Sequence, residues 1–253
     1  MPLSLIAAVA ALAIGLSLGM LGGGGSVLTV PALVYLVGVA PKSAIAMSLP
    51  VVGTASLIGA VGHWRAGNVD LRTALGFGAV AMAGAVVGTR LATFFTDAAQ
   101  LLLLGVVMLA SALSMLRGGA RPPRHESTPL GRALLPLVAL GVGALTGLVG
   151  VGGGFLVVPA LVVLAGIPMT QAIGTSLVVI AMNTATSFAA TVGRVPIDWR
   201  LVASFTALAC VGIVLGTRLV RHVAQTTLRR AFAVLLLVIA VLLVIQNRGA
   251  LFG

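Results

Sequence analysis

The chain has 253 residues, 60% of them hydrophobic and only 8% charged, with a mean hydropathy of +1.22. A soluble domain covers its surface with about 25% charged residues, so this composition excludes an ordinary soluble enzyme, a coiled coil and a disordered tail. The net charge of +11, from 15 Lys and Arg against 4 Asp and Glu, would suggest nucleic acid in a soluble protein, but here the basic residues lie in short connections between apolar runs, where they set orientation in a bilayer.

The apolar segments run 3–21, 26–39, 43–62, 71–95 and 98–116, then 131–149, 153–166, 171–192, 199–220 and 226–246. They use Leu, Val, Ala and Gly without the polar–apolar alternation of a membrane β-barrel. The expected fold is therefore all-α, a polytopic membrane helix bundle with about 8–10 transmembrane segments. Segments 26–39 and 153–166 are short, about 14 residues or roughly 21 Å. Each follows a glycine cluster. Segment 3–21 resembles the core of a secretion signal, although no Lys or Arg precedes it. It has an internal counterpart at 131–149, so it is expected to stay as a structural helix.

The polar stretch from Arg117 to Arg132 divides the chain. An offset of 128 residues carries Gly22, Gly24 and Gly25 onto Gly150, Gly152 and Gly153 without a gap. It carries Val30-Pro31-Ala32-Leu33-Val34 onto Val158-Pro159-Ala160-Leu161-Val162, and Gly88-Thr89-Arg90-Leu91 onto Gly216-Thr217-Arg218-Leu219. About 27 of roughly 70 pairs are identical, including Pro, Asp and Arg that composition alone does not match. The organisation is thus a first repeat, 1–116, a linker, 117–130, and a second repeat, 131–253. Five segments per half would make the repeats inverted. Placing the linker in the cytoplasm puts about ten arginines inside against five basic residues outside, with both termini outside.

The glycine clusters, Gly22-Gly23-Gly24-Gly25-Ser26 and Gly150-Val151-Gly152-Gly153-Gly154, must interrupt their helices, since each glycine costs about 1 kcal/mol relative to Ala. The short helix that follows each one offers free N–H groups to an anion. The alternative is that the glycines permit tight helix crossing. These residues resemble a known family: the doubled glycine motif followed by Val-Pro-Ala-Leu, the Gly-Thr-Ser-Leu at 174–177 and the two Gly-Thr-Arg-Leu ends are similar to the TauE/SafE family, also called sulfite exporters or toluene-sulfonate uptake permeases. The resemblance implies a multi-pass permease of the bacterial inner (cell) membrane for small sulfur-containing anions such as sulfite, thiosulfate or sulfonates. It implies no enzymatic activity.

Ser48, Thr175, Ser176 and Asn183 are the further substrate-binding candidates, as uncharged donors inside apolar segments. Thr54, Ser56, Thr184, Thr186 and Ser187 lie on the same two segments. Asp70 and Asp198 match across the repeat and begin helices, which suits a capping role better than a proton relay. Arg90 and Arg218 end helices, where a cation suits the dipole. His63-Trp64-Arg65 has the character of an interfacial anchor. His125 and His222 have no second ligand at metal spacing. The single cysteine, Cys210, excludes an internal disulfide. No cofactor and no metal are expected. The expected partners are a small anionic solute and the lipid bilayer, no nucleic acid, with a homodimer left open. Export is favoured for a monovalent anion, because an inside-negative potential drives it outward by about 2.3 kcal/mol per 100 mV. A channel-like pore, or a permease for a non-sulfur organic anion, is the alternative. An intramembrane enzyme would need a nucleophile and base that the sequence does not offer.

Overall fold

The computed structural model of the chain describes residues 5–117, 129–149 and 154–246, and every regular element among them is helical. The first half comprises α1 (Leu5–Leu21), α2 (Gly24–Pro31), α3 (Pro41–Arg65), α4 (Leu71–Leu91) and α5 (Asp97–Arg117). The second comprises α6 (Pro129–Val149), α7 (Gly154–Pro159), α8 (Met169–Thr191), α9 (Trp199–Leu219) and α10 (Gln225–Gln246). Gly150, Gly152 and Gly153, and residues 118–128 of the linker with His125, lie outside the described residues.

The ends of these helices follow from local chemistry. Pro41 opens α3 at a position where its missing N–H costs nothing. Asp70 caps α4 by accepting from the Thr73 N–H, and Asp198 caps α9 by accepting from Arg200 and Leu201. Pro31 and Pro159 end α2 and α7, and each is followed by a π-helical turn, Ala32–Leu36 and Ala160–Leu164. A proline has no N–H to give and crowds the preceding turn, so the bonding shifts from α to π at the same place in both halves.

Packing is exchanged between the halves. If α1 to α5 correspond to α6 to α10, then α1 packs on α9 and its counterpart α6 packs on α4. Likewise α3 pairs with α8, α5 with α10 and α2 with α7. In lipid, helices gain little from burying apolar surface against one another, so close approach of small residues does the work. Gly15, Gly19, Gly212 and Gly216 bring α1 and α9 into backbone contact. Gly84, Gly88, Gly143 and Gly147 do the same for α4 and α6. Three apolar clusters fill the remaining space, centred on Met108 and Phe232, on Met47 and Phe205, and on Phe77 and Leu161.

Among the described residues four helical stretches are long and apolar enough to cross a membrane: Pro41–Arg65, Leu71–Phe94, Met169–Thr191 and Trp199–His222. They form two counterpart pairs, and their outward faces carry exposed Leu57, Val87, Val211 and Leu215. The α2 helix and its π turn have 8 and 5 residues, short of the ~20 that a full span needs.

Candidate functional site

The first glycine cluster is a bend between α1 and α2. Gly22 has φ +66°, a left-handed conformation that a Cβ makes costly. A Cβ there would also stand 2.7 Å from Ser176 Oγ and 3.2 Å from Ile173 Cα. The turn therefore lies directly against α8. Gly25 has a different reason to be glycine: a Cβ would meet the backbone of Ile14 and Leu18, so this residue lets α2 fold tightly onto α1. The reading of close helix approach thus holds at both positions, against α8 at Gly22 and against α1 at Gly25. Gly22, Gly23, Gly25 and Ser26 are all buried, which makes the turn an occluded one. Gly24 begins α2, and Gly154 begins α7 in the second half.

Most candidate hydroxyls are engaged locally. Ser26 donates to the Gly23 carbonyl at 2.6 Å, Ser48 to Ile45 at 2.7 Å and Ser176 to Ile173 at 2.8 Å. Such bonds back to the same helix turn are easily exchanged for another acceptor. The Thr175 hydroxyl accepts from the Asp70 N–H at 3.0 Å, so it ties the start of α4 to α8. Thr184 donates to Ile180 and lies where a Cβ on Gly53 would meet it, fixing α8 to α3.

Asn183 is different. Both ends of its amide are buried and have no hydrogen-bond partner. The hydroxyls of Thr29, Ser56 and Ser187 are in the same state. A buried amide or hydroxyl without a partner costs about 1–3 kcal/mol, and here four side chains bear that cost. Ser176, Asn183 and Ser187 stand seven and four residues apart, on one stripe of α8 that begins at the Gly22 turn. Sequence reasoning named Asn183 but missed Thr29, whose counterpart is Val157. Its place one helical turn after Ser26 was the available signal.

The remaining polar residues fall into structural roles. Asp70 accepts from the Thr73 N–H at 3.1 Å and from its hydroxyl at 2.6 Å. Asp198 accepts two backbone N–H bonds. Arg90 and Arg218 occupy last turns of α4 and α9. His63 requires a correction. Trp64 is 60% exposed, as an interfacial anchor should be, but His63 is only 1% exposed. Its Nε2 bonds the Gly19 carbonyl of α1 at 3.0 Å. Successive helical residues point about 100° apart, so neighbours in sequence part company at the helix end.

Two apolar hollows lie away from this site. One, of about 210 Å³, runs between α1 and α10 past Ala13, Leu16 and Thr227. The other, of about 340 Å³, lies beside Cys210 and Val214 on the outside of α9. Among the described residues no three His, Cys, Asp or Glu side chains are grouped to hold a metal ion.

Comparison with known proteins agrees with this architecture. Residues 7–243 match the family model described as Sulfite exporter TauE/SafE. A "Probable membrane transporter protein" of Xylella fastidiosa (strain Temecula1 / ATCC 700964) is 33% identical over 247 residues, covering 94% of each chain. The Bacillus subtilis (strain 168) "Probable membrane transporter protein YunE" is 25% identical, over 90% of this chain and 92% of its own. The B. subtilis protein YdhB, which carries the same description, is 27% identical over 66% of this chain and 70% of its own. No solved structure matches. The chain belongs to the Sulfite exporter TauE/SafE family and is a membrane transporter.

Proposed function

We propose that this transporter is a multi-pass permease of the bacterial inner membrane that exports small sulfur-containing anions such as sulfite, thiosulfate or sulfonates. Its two repeats are inverted with respect to each other and joined by the linker 117–130 in the cytoplasm. The substrate binds between the turn Gly22–Ser26 and its counterpart Gly150–Gly154, with Ser48, Thr175, Ser176 and Asn183 along its path.

The unsatisfied amide of Asn183 carries this reading. A buried polar side chain without a partner persists when a ligand completes it in part of the working cycle. Asn183 lies on the α8 stripe that starts at Ser176, and Ser176 faces the Gly22 turn. An amide and hydroxyls present N–H and O–H donors without a fixed positive charge. Donors of that kind hold an oxyanion firmly enough to select it and loosely enough to let it go. The glycine turn adds backbone donors at the start of α2. Transport follows from one repeat rocking against the other around the site.

The test is counterflow of radiolabelled sulfite, thiosulfate and methanesulfonate in proteoliposomes. Saturable counterflow, together with a net efflux that an inside-negative potential accelerates, is the expected result. Equal, non-saturating flux of all three would remove the permease reading in favour of a pore.

A further inference from the structure

His63 is the one ionisable side chain among the buried described residues. It lies in the last turn of α3 and locks three elements together. Its ring bonds the Gly19 carbonyl of α1 at 3.0 Å. Gly19 is in turn pressed against α9, where a Cβ would meet the Ile213 carbonyl and the Thr217 N–H. The His63 main-chain carbonyl accepts from Ala66 and Asn68, at 3.1 and 2.9 Å. A Cβ on Gly174 would meet the Asn68 carbonyl and the His63 Cβ, so the same corner rests on α8.

Gly19 belongs to the last turn of α1, three residues before the left-handed Gly22. The carbonyls of a final helical turn have no partners within the helix. His63 supplies one from another helix. Because a carbonyl only accepts, Nε2 must carry the proton, which leaves Nδ1 bare in the neutral ring. The matching residue in the second half, Thr191, instead donates to Ser187 of its own helix at 2.8 Å.

We propose that His63 is a positioning residue for transport, holding the end of α1 and the glycine turn closed while neutral and releasing them when Nδ1 gains a proton. The charged groups around it favour release. The α1 and α8 helices bring no ionisable side chain. The α2 helix brings none either, and its π turn carries only Tyr35. The α9 side brings Arg218, Arg221 and His222, with Arg221 near the ring. The last turn of α3 itself brings Arg65, and the chain beyond it brings Asp70 and Arg72, with the Asp70 carboxylate already bonded to Thr73. An imidazolium in this corner is a buried charge with a like charge nearby and no free carboxylate. The cost of burying that charge outweighs its stronger Nε2–H bond to Gly19, so the ring moves toward water at the end of α3 and leaves the carbonyl. The substrate turn then opens in one half only, which makes the response to pH one-sided.

This inference rests on the glycine turn being the substrate site, so its test includes a measurement that needs no substrate. Amide hydrogen exchange over residues 19–26 of the full chain in nanodiscs, corrected for intrinsic exchange chemistry, should rise on acidification through the His63 titration. A rise of about fivefold or more is expected, the lower end of typical coupling between sites. His63→Gln keeps a side-chain N–H for Gly19 and cannot titrate, so its exchange should stay flat and low. Histidine-selective NMR should show the neutral His63 ring protonated at Nε2. Sulfite counterflow should follow the same pH profile in the wild type and lose it in His63→Gln. An unchanged pH response in His63→Gln, or a neutral ring protonated at Nδ1, overturns the proposal. A pH response of exchange without any sulfite transport leaves the latch standing and removes only the assigned substrate.

Discussion

Gly15 and Ala209 are in backbone contact: a Cβ on Gly15 would fall on the Ala209 carbonyl. An offset of 128 residues turns that pair into Gly143 and Ala81, which stand in the same relation with the halves exchanged. The neighbouring glycines repeat the pattern, Gly84 against Leu140 and Gly212 against Leu12. These two glycine-lined interfaces between the halves are therefore made by corresponding residues used in reverse. Substituting Gly15→Val or Gly143→Val must push helix backbones apart. Each should cost about 1–3 kcal/mol or more, read as a lowered melting temperature in detergent. Equal losses from the two variants are expected, since the two contacts are equivalent.

Asp70 and Asp198 cap α4 and α9 through backbone N–H groups. Asp70→Ala and Asp198→Ala should each cost about 1 kcal/mol of stability. The pH profile of transport should remain that of the wild type in both. A flattened profile in Asp70→Ala would instead give that carboxylate a coupling role.

Much of this was legible from the sequence. Among the described residues the apolar runs located the long helices to within a few residues, because a membrane span must be apolar throughout, but overran the ends of α2 and α7 by eight and seven residues. The segments 26–39 and 153–166 ran on through Pro31 and Pro159, where the two short α-helices end and the π turns begin. Asp70 and Asp198 were readable as caps because a cap acts within one turn of its own chain. What stayed hidden depends on partners far away in sequence. Nothing local separates Ser176, whose hydroxyl bonds to its own helix, from Ser187, whose hydroxyl has no partner. Thr29 looked like any small residue of a short helix. His63, between Gly62 and Trp64, had the surroundings of an interface residue, and only the packing of α1 turned it inward.

Gly22 combines two constraints that a double variant separates. Its left-handed φ penalises any side chain, and its neighbour Ser176 leaves no room for one. Gly22→Ala should cost about 1–3 kcal/mol from backbone strain and crowding together. Adding Ser176→Gly removes the hydroxyl contact but not the Ile173 backbone, and should recover part of the loss. The unrecovered part measures the turn together with its contact on Ile173. Thermal unfolding of the four proteins in the cycle gives the partition, and full recovery would mean that the turn tolerates a Cβ once space is made.

Asn183 separates stability from function most cleanly. Its amide is fully buried and unpartnered at both ends, so Asn183→Leu removes an unmet polar group and keeps most of the volume. The variant should be as stable as the wild type or more stable, by up to about 1–3 kcal/mol. If the amide binds the transported anion, the same change should lower kcat/KM for sulfite by roughly 10- to 100-fold, the worth of 1.4–3 kcal/mol. Asn183→Gln, which keeps the chemistry but displaces it, should fall between the two. A merely structural asparagine would behave in the opposite way: its loss would lower stability and spare transport in the molecules that fold. Melting temperature and counterflow rate on the same purified samples distinguish the two outcomes, because the predicted variant is the stable one that does not transport.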